Sequence, residues 1–326
     1  MTAQPVPQPQ TDFVPAPYFA EIARGPTGGE THWLTTKDGL RIRAGHWPAP
    51  GEARGSILLF PGRTEYIEKY GPTACDLVAE GFSVLAVDWR GQGLADRALA
   101  ERRLGHVGDF AEFQLDVAAV LEHAEALDLP KPWFMIAHSM GGAIGLRALM
   151  NGAPVAAAAF TAPMWGIRIP LALRPVARIL SQVGPHLGLS EKQVPTTTIE
   201  QYVQVAPFEG NTLTNDPETY AFLQMQMAAQ PDLVLGGPTL QWLASAMSEC
   251  AAPPALPSPQ PPCLPFLGES EQIVAPPPIH DRMSRWPGGR LEMVPDAQHE
   301  ILMERPETRA RTIAAINEFF RTHSAG

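Results

Sequence analysis

Ser139, a glutamate at 269 or 271, and His299 are the residues whose types and order could do chemistry in this chain. A serine hydroxyl becomes a nucleophile when a histidine takes its proton and a carboxylate orients that histidine. On a strand–turn–helix scaffold these groups follow one another as Ser, then Asp or Glu, then His. Ser139 lies in Ala137-His138-Ser139-Met140-Gly141-Gly142, after the apolar run Trp133-Phe134-Met135-Ile136 and before a small, proline-free run over 141–150. A serine pinned between a buried strand and a helix, with small residues two positions away on either side, is the nucleophile-elbow pattern. Such a turn exposes the hydroxyl at the C-terminal edge of a sheet and aims the Met140 N–H at the carbonyl oxygen under attack. The plainer reading is a helix start in which Ser139 only caps. The carboxylate and histidine, each just after an expected strand and in the required order, weigh against it.

The flanking elements supply the edge that this chemistry needs. Residues 31–36 and 40–47 read as two strands joined at the turn Lys37-Asp38-Gly39, and 55–60 and 83–87 as strands buried on both faces. Residues 64–80, 109–127 and 141–150 have helical patterning, and 155–161 is another strand. This alternation implies a parallel sheet flanked by helices, with ligands bound beyond the carboxyl ends of the strands. Three glycine-bearing turns fall at that edge: Pro61-Gly62-Arg63, Arg90-Gly91-Gln92-Gly93 and the elbow.

The strand rhythm stops at Pro163 and resumes at Leu264-Pro265-Phe266-Leu267. Residues 171–183, 197–205, 217–230 and 239–249 are helix candidates between those points, the form of a lid or cap beside an active edge. Met164, Trp165, Phe222, Met225, Met227 and Trp242 are the residues expected to shape a pocket there, methionine being an adaptable wall for apolar chains. A further strand over 290–294 precedes Asp296-Ala297-Gln298-His299-Glu300, and a closing helix over 307–321 puts Ile313, Ile316, Phe319 and Phe320 inward. The expected organisation is a proline-rich segment over 1–28, core over 29–162, cap over 163–250 and core again over 251–326. The proline clusters at 253–265 and 276–278 read as extended connections.

Composition narrows the class. A chain of 326 residues with 45% hydrophobic and 18% charged residues has the make-up of a soluble globular protein with a large core. Its net charge of −10 argues against a nucleic-acid partner, because phosphates would be repelled. Cys75, Cys250 and Cys263 cannot pair completely and show no metal-ligand spacing, so buried free thiols are expected. Catalysis by Ser139, His299 and a glutamate implies no metal or organic cofactor. No signal-peptide pattern and no apolar stretch of membrane-spanning length are seen, which together with the thiols reads as cytoplasmic.

Four stretches carry a family resemblance: Leu58-Leu59-Phe60-Pro61-Gly62-Arg63-Thr64-Glu65-Tyr66, Asp88-Trp89-Arg90-Gly91-Gln92-Gly93, Ala137 to Gly142, and Gln298-His299-Glu300-Ile301-Leu302-Met303-Glu304. With the order of elements, they make the chain resemble an α/β-hydrolase of the monoacylglycerol-lipase and bacterial lysophospholipase type. The resemblance implies an oxyanion hole built from the backbone N–H groups of Arg63 and Met140. It also implies an acid three residues past the strand-ending Gly268, which selects Glu271 over Glu269 although the family acid is usually aspartate. Pro61 and Ala95 stand where many members carry histidine and serine. The implied substrate is an ester of an apolar or single-chain lipid, with transient membrane-surface contact through the cap. An amidase or peptidase using the same groups, and a non-catalytic small-molecule binder, are the alternatives; oligomeric state is left open.

Overall fold

The computed structural model describes residues 13–169, 187–195 and 197–324. Within them β1 (Val14–Pro15), β2 (Glu30–Thr35), β3 (Arg41–Trp47), β4 (Ser56–Phe60), β5 (Ser83–Asp88), β6 (Trp133–His138), β7 (Ala157–Thr161), β8 (Cys263–Gly268) and β9 (Glu292–Val294) form one sheet. Their spatial order is β1-β2-β3-β5-β4-β6-β7-β8-β9. The pairs β1–β2, β2–β3 and β3–β5 are antiparallel. Every later pair is parallel. Strands β4 to β8 are buried along their whole length, which is why each reads as a continuous apolar run rather than an alternation. This mostly parallel sheet with flanking helices is the α/β-hydrolase architecture.

Among the described residues the α-helices are α1 (Ala20–Ala23), α2 (Gly71–Ala79), α3 (Phe113–Ala126), α4 (Met140–Met150), α5 (Tyr202–Val205), α6 (Pro217–Ala229), α7 (Leu240–Ala251), α8 (Pro276–Met283) and α9 (Pro306–Thr322). Asp109 and Glu112 form a capping box on the short 3-10 turn that leads into α3. The ring of Phe320 on α9 stacks on Phe134 of β6 at 4.4 Å, and Ile313 and Ile316 are buried with it. Phe319, expected inward, is only partly buried beside them.

Proline placement accounts for the main departures from the sequence reading. The helix expected over 64–80 begins only at Gly71; Pro72 occupies its first turn, and Ile67–Tyr70 is a 3-10 turn before it. The three prolines of 276–278 are not an extended connection but the opening turn of α8. Proline fits there because the first N–H groups of a helix have no intrahelical acceptor, and its fixed φ is already helical. The helix expected over 197–205 shrinks to α5, and the candidate over 171–183 lies outside the described residues. Cys75 and Cys250 are half-buried free thiols and Cys263 is a buried one. Among the described residues no helix is long and apolar enough to cross a membrane.

Candidate active site

Ser139 occupies the turn between β6 and α4 with φ 49° and ψ −116°, a left-handed conformation that a non-glycine residue adopts only when its surroundings enforce it. The enforcement is visible. The Ser139 N–H donates to the Thr161 carbonyl at 3.0 Å, and the Ser139 carbonyl accepts from Met164 at 2.8 Å and Gly142 at 2.9 Å. A Cβ at Gly141 would lie 2.1 Å from the Phe60 carbonyl oxygen, so β4 and α4 approach closely because that residue has no side chain.

His299 follows β9, and its Nε2 lies 2.9 Å from the Ser139 Oγ. Its Nδ1 lies 2.8 Å from Glu271 Oε2. A carboxylate on Nδ1 fixes the proton there and leaves Nε2 free to accept. The other Glu271 oxygen accepts from the N–H groups of Ile273 at 2.6 Å and Val274 at 3.0 Å. Burial works against ionisation of Glu271, but the His299 contact and these two N–H donors outweigh it and hold the carboxyl below its usual range. Glu269, the other carboxylate in the loop, is exposed.

The loop 62–65 crosses in front of the serine and is held from the core and from the segment between β7 and β8. Gln92 donates to the Gly62 carbonyl at 2.7 Å, and the Thr64 N–H donates to Gln92 at 3.4 Å. The motif that carries Gln92 is folded around Asp88, which accepts from Ile67 and Leu94 at 2.8 Å each and from Arg43. A Cβ at Gly93 would come within 2.1 Å of that carboxylate. From the other side, Gln201 donates to the Thr64 carbonyl at 3.2 Å, Tyr66 donates to Gln226 at 3.1 Å, and Arg63 donates to the Gly236 carbonyl. Met140 begins α4, where helix geometry leaves the first N–H groups without an intrahelical acceptor.

A buried charge cluster lies beneath the serine and histidine. Lys69 donates to Glu65 and, at 2.7 Å, to Glu300. His138 Nε2 faces Glu300 at 3.4 Å and Glu65 at 3.6 Å. Its Nδ1 lies 3.0 Å from the Thr161 carbonyl oxygen, so Nδ1 carries a hydrogen. With only carboxylates before it, Nε2 needs one too, and two acids are then balanced by two cations. Burial opposes that charge on His138, yet Glu300 and Glu65 outweigh it and raise its pKa. Burial likewise opposes ionisation of Glu300, which Lys69 and His138 nevertheless hold well below the usual carboxylate range. The ligand atoms of Glu65, His138 and Glu300 lie within 4.8 Å of one another, a spacing a metal ion could bridge. The Lys69 ammonium already supplies a cation between the two carboxylates. Sequence reasoning missed the cluster as a unit, although Glu65, His138 and Glu300 are themselves residues of the quoted motifs and Lys69 lies three past Tyr66.

Ser139 and His299 open into a cavity of about 420 Å³. Met164, Met227 and Trp242 line it, as expected, together with Ile167, Leu223 and Val274. Trp165, Phe222 and Met225 are not among its lining residues. The Trp165 ring stacks on Trp286 and donates to the Gly142 carbonyl, Phe222 lies under the Arg24 guanidinium, and Met225 is on the surface. Helical spacing places a residue on a helix but does not say which neighbour that face meets. Arg90, near the same edge, is tied to Asp38, Glu112 and Asp116 and is structural.

A strained serine on a strand–turn–helix, a histidine and an acid in hydrogen-bonded sequence, and a cavity above them define an enzyme of the α/β-hydrolase class. The model of the serine aminopeptidase S33 family matches residues 51–306, and the chain belongs to that family. It is 33% identical over 283 residues to lysophospholipase L2 of Escherichia coli (strain K12), covering 82% of this chain and 81% of that protein. In fold it is similar to a soluble variant of monoglyceride lipase from Saccharomyces cerevisiae, with a TM-score of 0.72 at 18% identity over 99% of this chain and 100% of that one. A monoacylglycerol lipase from Paleococcus ferrophilus gives a TM-score of 0.66 at 19% identity, over 87% of this chain and 99% of that one.

Proposed function

We propose that this protein hydrolyses carboxylic esters of single-chain lipids, of the lysophospholipid or monoacylglycerol kind, through an acyl-enzyme on Ser139. The observation that carries this reading is the hydrogen-bonded chain Glu271–His299–Ser139 at 2.8 and 2.9 Å, opening into a largely apolar cavity. Ser139 Oγ attacks the ester carbonyl as His299 Nε2 takes its proton, and the Nδ1–H donates to Glu271 throughout. The backbone N–H groups of Arg63 and Met140 hold the oxyanion. The imidazolium then returns the proton to the departing alcohol, and water repeats the sequence to free the fatty acid.

Two further features support the lipid reading. The helices α5 to α7, between β7 and β8, act as a cap over the serine. Leu187, Tyr202, Val205 and Met225 in this region are exposed large apolar residues, and Tyr202 also lines the cavity. Tyr202 therefore marks a mouth through which an acyl chain passes from a membrane surface in transient contact with the cap. A peptidase reading is disfavoured by charge. Capture of a peptide α-amine needs a free carboxylate, and the cavity's acids, Glu65 and Glu300, are already engaged by Lys69 and His138.

The decisive experiment is Ser139→Ala. Turnover of p-nitrophenyl esters should fall to background while the melting temperature stays within a degree or two, and a fluorophosphonate should label Ser139 in the unmodified protein. Substantial turnover by the folded variant would reject the reading.

A further inference from the structure

The cavity is lined by two long-chain cations, and only one of them has a carboxylate. Lys69 is held between Glu65 and Glu300. Arg63 meets no carboxylate among the described residues. Its guanidinium donates to the Gly236 carbonyl and lies 5.1 Å from the centre of the Trp242 ring, and its buried Nε has no hydrogen-bond partner. Other buried arginines are treated differently. Arg43 pairs with Glu68 and Asp88, and Arg90 with three acids. Arg97, half-buried and with Asp88, Asp96 and Asp232 near enough to offset part of its charge, donates to three carbonyls, those of Gly93, Ala95 and Arg102. Burying a guanidinium without a counter-charge is costly, and burial lowers the Arg63 pKa to about 10, which still leaves it a cation at neutral pH.

We infer that Arg63 reads the head-group: its uncompensated guanidinium receives the phosphate of a single-chain phospholipid bound at Ser139. This rests on the ester-hydrolase reading above and sharpens it, making a phosphate-bearing lysolipid the preferred substrate over a neutral monoacylglycerol. Two chemical facts favour phosphate. The guanidinium fork matches its oxygens, and charge-assisted contacts of this type are the stronger ones. The position suits it as well. The N–H of the same residue is the one assigned above to the oxyanion; on that reading the side chain starts beside the ester carbonyl and spans a length comparable to the glycerol that separates ester from phosphate. The apolar side chains of Leu223, Met227 and Val274 are left for the acyl chain.

The test compares 1-dodecanoylglycerol-3-phosphate with 1-dodecanoylglycerol, both below their critical micelle concentrations, on the unmodified protein, Arg63→Lys and Arg63→Gln. The ratio of kcat/KM, phosphate over neutral, should favour phosphate in the unmodified protein. It should fall about 10- to 100-fold in Arg63→Gln, the range of one charge-assisted contact, and less in Arg63→Lys. An unchanged ratio, or an equal loss on both esters, overturns the inference and leaves Arg63 as a tether for Gly236. Binding is measured separately by calorimetry on Ser139→Ala with dodecyl phosphate, dodecanoate and dodecanol. Dodecyl phosphate should bind at least tenfold more tightly than the others, and the added Arg63→Gln change should erase that margin. Dodecanoate binding as tightly overturns the assignment to phosphate. Arg63-dependent binding of dodecyl phosphate with no hydrolysis of either ester would reject the ester reading while sustaining the head-group site. Should Arg63→Gln fail to fold, the substrate ratio of the unmodified protein and Arg63→Lys, with the three-ligand comparison on Ser139→Ala, decides alone: no preference for phosphate in either overturns the inference.

Discussion

His138 and Glu300, the residues directly before Ser139 and directly after His299, face each other at 3.4 Å in a buried cluster completed by Glu65 and Lys69. Glu65 stands two residues past Arg63. Arg63, Ser139 and His299 are therefore each one or two residues from the same charge-balanced knot, which ties the three together.

That knot predicts a pH dependence. The His138 pKa is raised in the fold, so the stability it contributes is complete below its unfolded value near 6.5 and is lost as pH climbs through the folded value. Thermal melts between about pH 6 and 10 should show an alkaline decline. His138→Gln should lower kcat more than it alters KM, because it strands two acids against one cation. Glutamine does not titrate, so the alkaline decline should flatten in this variant, and the double change His138→Gln with Glu300→Gln, which restores charge balance, should recover part of the kcat. Equal damage in the single and double variants would mean that charge balance is not what the cluster supplies.

Glu271→Gln keeps the shape of the acid but removes its charge and permits the wrong histidine tautomer. A loss of order ~10⁴ in kcat is expected by analogy with serine proteases. Glu269→Gln, on an exposed side chain of the same loop, should change kcat less than about twofold, as surface substitutions usually do. Side-by-side ester assays check both, and a large loss at position 269 would reverse the assignment.

Gly141→Ala tests the elbow itself. The added methyl would lie 2.1 Å from the Phe60 carbonyl oxygen and 2.5 Å from that of Pro61, and backbone cannot step aside as a side chain can. Overpacking of this kind costs roughly 1–3 kcal/mol or more. Each kcal/mol should appear as a drop of about 2–4 °C in melting temperature. Labelling of Ser139 by a fluorophosphonate should slow markedly in the fraction that remains folded.

Leu223→Trp and Met227→Trp fill the apolar side of the cavity. The kcat/KM for a dodecanoyl ester should fall at least about tenfold relative to a butyryl ester, in line with the 10- to 200-fold worth of a single methylene in an apolar pocket. Met225→Trp, on the outer surface, is the control and should leave that ratio alone. A profile across p-nitrophenyl esters of increasing length reads both.

Local signals made much of this legible in the sequence. Continuous apolar runs announce strands buried on both faces, and small residues around Ser139 announce a tight turn. The family resemblance, which puts the acid three residues past Gly268, indicated Glu271, the acid that the structure brings to 2.8 Å from His299. What local pattern could not express was partnership. Trp165 and Phe222 belong to apolar segments as read, but their rings meet Trp286 and Arg24, remote in the chain. The prolines of α8 read as a break because three in succession remove three donors, yet the first turn of a helix is where donors are not needed. The buried cluster draws on Glu65, Lys69, His138 and Glu300, and no window along the sequence contains them together.

The three ties from the segment between β7 and β8 to the loop 62–66, through Gln201, Gly236 and Gln226, bear on how this scaffold can be re-engineered. Gln226 also donates to the carbonyls of Ile22 and Glu68 at 2.9 Å. Grafting that segment from another hydrolase, a common route to new selectivity, would here import a foreign pocket and unfasten the loop 62–66 in one stroke. A working chimera has to carry the two glutamines and the carbonyl across with the graft, or take the loop from the same donor. The unit of exchange in this molecule is the insertion plus the loop, not the insertion alone.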